Sequence, residues 1–169
     1  DTGVTGPAKT YCKYADSDLM VFYWAMIKRT LFEEIGILDE DFSPGCGEDT
    51  DFCAKAESKG YKLVEIQNLP VGHKSGQTFA DIDANPDLFK MNVNDILYKN
   101  RIHLINKHGK GKVKLNLGCG DRKFEDHINI DKFDLSSDII MDAVDLGKFE
   151  DNVAEQISAI HVLEHTPPV

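Results

Sequence analysis

No apolar run in this chain approaches the roughly 20 residues of a membrane span. The longest, Leu19 to Ile27, falls well short of that length. An excess of basic charge is also missing. The chain carries 19 Lys and Arg against 29 Asp and Glu, a net charge of −10. That balance disfavours nucleic-acid backbones and anionic membrane surfaces, which attract basic patches. It leaves room for a small phosphorylated ligand held at one specific site. The four cysteines, Cys12, Cys46, Cys53 and Cys119, form no C-x-x-C pair and no Cys/His group with zinc-site spacing. They read as reduced thiols, ordinary core or loop residues of a cytoplasmic protein. No signal peptide, internal repeat or low-complexity segment is visible. The chain starts at Asp1 rather than Met and stops just after Glu164-His165-Thr166-Pro167-Pro168, so both ends read as cut.

What is present is an ordinary globular composition, 41% hydrophobic over 169 residues, enough for one domain or two small ones. Residues 1–18, rich in Gly, Pro, Asp and Lys, read as loop. Leu19 to Ile27 reads as a buried strand or short apolar segment. A helix is expected from Thr30, capped by a Thr30/Glu33 box and stopped at Gly36. A turn follows at Ser43-Pro44-Gly45. A second helix with an acidic first turn spans about Glu48 to Ser58. Tyr61 to Ile66 alternates as a strand, and Asn68 to Thr78 reads as loop. Pro86 opens a third helix running to His108. The basic, glycine-bearing stretch His108 to Lys112 is the linker candidate. Beyond it, Val113–Leu117, His127–Ile130, Asp138–Met141 and Ile157–Leu163 read as strands, a pattern of parallel α/β sheet.

Two constellations stand out. The first runs Trp24, Phe32-Glu33-Glu34-Ile35-Gly36, Leu38-Asp39-Glu40-Asp41-Phe42, Gly47-Glu48-Asp49, Gly60-Tyr61 and His73. A carboxylate at a helix start beside a glycine-rich loop can take the proton from an attacking hydroxyl. The bland alternative is that Glu48 and Asp49 simply stabilise the helix N-terminus. The ordered series, over about residues 6–109, resembles the acceptor-side half of family 2 glycosyltransferases of the GT-A type. The resemblance implies Asp49 as base, with Glu48 beside it and Asp51 shaping the acceptor site. It implies His73 as a ligand of a divalent metal, Mg or Mn, although a lone His is more often structural. Trp24 is either an acceptor-stacking floor or core. The family's D-x-D motif follows an apolar strand. Here Asp16-Ser17-Asp18 precedes the apolar run and does not qualify, so the donor site is missing and the chain alone is not expected to transfer sugar.

The second constellation is Val113-Lys114-Leu115-Asn116-Leu117-Gly118-Cys119-Gly120, then Asn129-Ile130-Asp131, Ile140-Met141-Asp142 and His161-Val162-Leu163-Glu164-His165. A glycine turn after a first parallel strand lets a ligand approach the backbone, though Gly-x-Gly also serves plain tight turns. The ordered series resembles the opening of class I S-adenosylmethionine-dependent methyltransferases. That implies Gly118 and Gly120 beneath the methionyl part of S-adenosylmethionine, Asp131 on its ribose and Asp142 near its adenine. The short Gly120-to-Asn129 connection implies a version of the fold without a long helix there. Glu164 and His165 are motif residues with no assigned role.

The expected fold is therefore mixed α/β: a partial GT-A-like region over 1–109, and over 110–169 the first strands of a Rossmann-like methyltransferase sheet. The expected function is a fragment of an inverting glycosyltransferase, using a nucleotide-sugar and a glycan acceptor, with a partial methyltransferase appended. The alternatives are a non-catalytic binding or scaffold module, and a stand-alone methyltransferase with an acceptor-recognition region. Uncovered sheet edges suggest self-association into a homo-oligomer.

Overall fold

The computed structural model describes residues 1–166; the Pro167-Pro168 end lies outside the described residues. The fold is mixed α/β, and the chain divides into two compact units. The first holds Asp1–Cys12 and Ser17–Asn100; the second holds Lys13–Asp16 and the chain from Arg101 onward. The division falls inside a helix, upstream of the 110 boundary read from the sequence. The linker candidate is instead tied down. Gly109 is buried, its amide donates to the Ile105 carbonyl at 2.8 Å, and the Gly111 amide donates to the Asn152 carbonyl at 2.7 Å.

In the first unit, β1 (Thr2–Gly6) lies between β4 (Met26–Ile27), antiparallel to it, and β5 (Lys62–Glu65), parallel to it. β2 (Lys9–Cys12) and β3 (Ser17–Met20) pair antiparallel. The expectation that residues 1–18 form a loop is thus corrected. The glycines that suggested a loop are sites of close packing: a Cβ on Gly3 would lie 2.8 Å from Tyr61 Cβ, and one on Gly6 2.7 Å from Met20 Sδ. The apolar stretch Leu19 to Ile27 is likewise no single strand, since it turns between Met20 and Met26.

Helix α1 (Arg29–Ile35) begins after Lys28, and no side chain caps it. The expected Thr30/Glu33 box is overturned because the Lys28 amide is held by the Gly3 carbonyl at 3.0 Å, fixing the entry point two residues earlier than a Thr30 cap allows. Gly36, at φ +83°, stops the helix as read. Helix α2 (Glu48–Ser58) has the bounds its sequence indicated. Its buried face, Phe52, Cys53 and Ala56, packs with Val4, Met20, Leu31 and Leu63 into one core. Phe32 and Phe22 meet the Phe52 ring at 5.2 and 5.8 Å between centroids. Burying a side chain such as Phe52 contributes about 2–3 kcal/mol of transfer free energy.

The region read as one helix from Pro86 is broken. α3 (Gln77–Ala84) occupies part of the supposed loop, α4 (Pro86–Phe89) is a single turn, and α5 (Val93–His108) follows. Lys90 sits at φ +54°, which ends α4. The Asn92 side chain then accepts the Asp95 amide at 2.9 Å, so a new helix starts there.

The second unit carries a four-stranded parallel sheet in the order β8-β7-β6-β9. Its strands are β6 (Val113–Leu117), β7 (Ile128–Asp131), β8 (Ile139–Ile140) and β9 (Ala154–Ala159). No helix joins β6 to β7 or β7 to β8; turns do so. Leu115, Leu117, Ile128, Ile130 and Ile139 are buried on one face. On the other, Asn116 Nδ2 donates to Asn129 Oδ1 at 2.9 Å, within a hydrogen-bonded set that includes Asp138. Lys13 Nζ closes that set on Asp138 at 2.5 Å.

Candidate functional sites

In the second unit, parallel strands bring their C-terminal ends to one edge, where loops after the strands form a cleft. The cleft measures about 540 Å³ and is lined by Gly118, Asp131, Lys132, Phe133, Asp142, Val144, His161, Val162 and His165 among others. Three of the four residues assigned by sequence to the cofactor, Gly118, Asp131 and Asp142, therefore meet in one place. Gly120 does not line the cleft; it supports it through Asp131.

Asp131 stands at the end of β7. Its Oδ2 accepts the Gly120 amide at 2.9 Å, and its Oδ1 accepts the Phe133 and Asp134 amides at 2.8 and 2.9 Å. Burial pushes this carboxyl up, but the three amides outweigh burial and hold it below the usual carboxylate range. Gly118 and Gly120 adopt φ of +58° and +47°, the left-handed region that glycine takes without strain. A Cβ on Gly118 would strike Val162 Cγ2 at 2.5 Å, whereas one on Gly120 would meet open space. Asp142 accepts Lys132 Nζ at 2.8 Å and the Val144 amide at 3.2 Å, and both lower its pKa. Phe133, 84% exposed, and the exposed Val144 give the cleft an apolar rim. Lys132 and Phe133 were not singled out by sequence; their place directly after Asp131 was the available signal.

In the first unit, Glu48 and Asp49 open α2 behind Gly47. Burial pushes both carboxyls up, and each also feels local backbone donors that lower it. Glu48 is raised further by the charge of Asp49. Asp49 is held by the backbone of Thr50 and Phe22, with the Thr50 amide at 2.7 Å from Oδ1. Glu48, rather than Asp49, lines a second cleft of about 470 Å³ with Leu38, Asp39, Glu40, Phe42 and Pro44. The loop carrying that cleft is pinned by Asn100, whose Nδ2 donates to the Phe42 and Gly45 carbonyls at 2.9 and 2.8 Å.

The expected acceptor role of Asp51 is corrected. Asp51 is 0% exposed and pairs with Lys55 at 2.9 Å, because its position on α2 turns it into the core. Trp24 is half-buried in the turn between β3 and β4, neither core nor an open platform. His73 is exposed and lies flat on Tyr23, with ring centroids 4.3 Å apart and planes 6° apart. Among the described residues it joins no group of three His, Cys, Asp or Glu ligand atoms close enough to hold an ion. Asp18 of the rejected Asp16-Ser17-Asp18 motif is paired with Lys9 at 2.7 Å. None of the four cysteines is in a disulfide, and no helix among the described residues is long and apolar enough to cross a membrane.

Comparison with known proteins gives no match to any family model, any curated protein or any solved structure.

Proposed function

We propose that the second unit is the cofactor-binding part of a class I, Rossmann-like methyltransferase and that its cleft takes S-adenosylmethionine. The carrying observation is the meeting of Gly118, Asp131 and Asp142 at the C-terminal edge of a parallel sheet ordered β8-β7-β6-β9. The residues fit the group. Gly118 lines the cleft without a side chain, and the Asp131 carboxylate, held below the usual range, is an acceptor suited to ribose hydroxyls. Asp142 is an acceptor for an adenine amino group, although Lys132 already engages it and must share it or swing away. When bound, the cofactor supplies an electrophilic sulfonium methyl. The chain's own work is to orient it: the glycine turn allows close approach, and Asp131, preset by three amides, fixes the sugar without reorganisation.

Calorimetric titration with S-adenosylhomocysteine tests this. Binding is expected, and Asp131→Ala is expected to weaken it at least about tenfold, or about 1.4 kcal/mol. Absence of binding by the folded chain would sink the proposal.

A second reading concerns the first unit: the acceptor-side half of an inverting, GT-A-type glycosyltransferase, acting on a glycan acceptor hydroxyl. The place of Asp49 in the first turn of α2 behind Gly47, where burial raises its carboxyl, favours it. Saturation-transfer NMR against a panel of mono- and disaccharides tests it. Contact in the wild-type chain that Asp49→Asn reduces would support the reading; no contact with any sugar would count against it. Because His73 alone does not complete a metal site, no step is assigned to Mg or Mn.

A further inference from the structure

The cleft of the second unit contains a group that cofactor binding does not use. His161 follows β9 and lines the cleft beside Val162. Its Nδ1 lies 3.1 Å from Glu164 Oε1. A glutamate is an ionised, acceptor-only carboxylate at neutral pH, so a ring nitrogen at this distance from it is placed to donate. That tautomer leaves the Nε2 lone pair available. His161 also holds φ +56°, a left-handed conformation rare for a residue with a Cβ. The turn that carries it is seated on the floor of the cleft, because Val162 occupies the space a Gly118 Cβ would need.

We propose that His161, oriented by Glu164, is the general base that takes a proton from the methyl acceptor. The acceptor class is then a hydroxyl. A hydroxyl oxygen is a poor nucleophile until its proton is removed, whereas a neutral amine attacks first and sheds its proton to water afterwards. In the step, the acceptor oxygen bonds the methyl carbon, sulfur keeps the electron pair of the breaking C–S bond, and the hydroxyl proton passes to His161 Nε2. This rests on the cleft holding S-adenosylmethionine.

Two measurements on the full chain test it. Long-range 1H–15N NMR should show neutral His161 in the Nδ1–H form, and Glu164→Ala, an exposed change that removes the acceptor, should abolish that preference. Carbethoxylation by diethyl pyrocarbonate, read site by site by mass spectrometry, should be slowed at His161 about tenfold by S-adenosylhomocysteine at ten times its Kd. His73 serves as the unprotected reference. Binding without protection of His161, or a neutral Nε2–H ring in the wild type, overturns the base and leaves the cofactor reading standing. Failure of S-adenosylhomocysteine to bind overturns both.

Discussion

The Gly120 amide donates to the Asp131 carboxylate at 2.9 Å, tying the turn after β6 to the tip of β7. The bond joins the two parts of the cleft floor that no helix connects. It makes the backbone of the glycine turn and the ionisation of one acid a single structural unit. Amide donors from Phe133, Asp134 and Gly120 favour the charged form of Asp131, so the ionised acid and the shape of the turn support one another.

The two glycines of that turn should respond differently to alanine. Both have positive φ, which costs a non-glycine residue about 1–2 kcal/mol. Gly118→Ala adds a collision with Val162 at 2.5 Å, while the Gly120 Cβ would meet nothing. Urea unfolding should therefore show Gly118→Ala as clearly the more destabilised. Equal midpoints for the two variants would contradict this.

Asp134 is expected to shape stability in acid. Lys123 at 2.7 Å, then Ser136, lower its pKa to about 2. A depressed folded pKa contributes stability above the unfolded value of about 4, and that contribution is lost as pH falls through the folded value. The urea midpoint should fall between pH about 4 and about 2, and Asp134→Asn should flatten part of the fall. An unchanged profile would remove Asp134 from the account.

Thiol reactivity should separate the cysteines. Burial pushes the Cys53 thiol up to about 12, and Cys119 to about 11. Cys46 is exposed in the loop before α2. At pH 8 and native conditions, iodoacetamide followed by mass spectrometry should find Cys46 labelled well before Cys53 and Cys119.

Asn100→Ala should unpin the loop that carries Glu48. Two carbonyls, of Phe42 and Gly45, would lose their donor, at a cost of about 1–3 kcal/mol. Hydrogen exchange at residues 43–47 should accelerate more than exchange within α2. Slower or unchanged exchange in that loop would refute the pinning.

Legibility in the sequence followed the range of the forces involved. Helix α2, its Gly60 stop and strand β6 were readable because periodicity and glycine stops are local signals. The cleft residues Gly118, Asp131 and Asp142 were picked out as a series, and the parallel sheet brings them together. What escaped was decided at long range. The strands within residues 1–18 exist because Tyr61 and Met20 fill the spaces beside Gly3 and Gly6. The start of α1 was set by Gly3 rather than by Thr30. The inward turn of Asp51 depended on which face of α2 the core took, and the acids around it gave no sign of that. The break before α5 was signalled locally by the Asn92 cap, but the apolar pattern running through it masked the signal.

The amide pair Asn116–Asn129 has a consequence for how the second sheet assembles. These residues face one another in the β6–β7 register, each on the polar side of its strand. Sliding β7 by one position would turn every side chain to the opposite face, setting Ile128 or Ile130 where an amide now finds its partner. The mispaired sheet would strand a buried amide on one side and apolar groups on the other. Two asparagines thus act as a key cut for one alignment, reinforcing from the polar face the register that the buried isoleucines favour from the other.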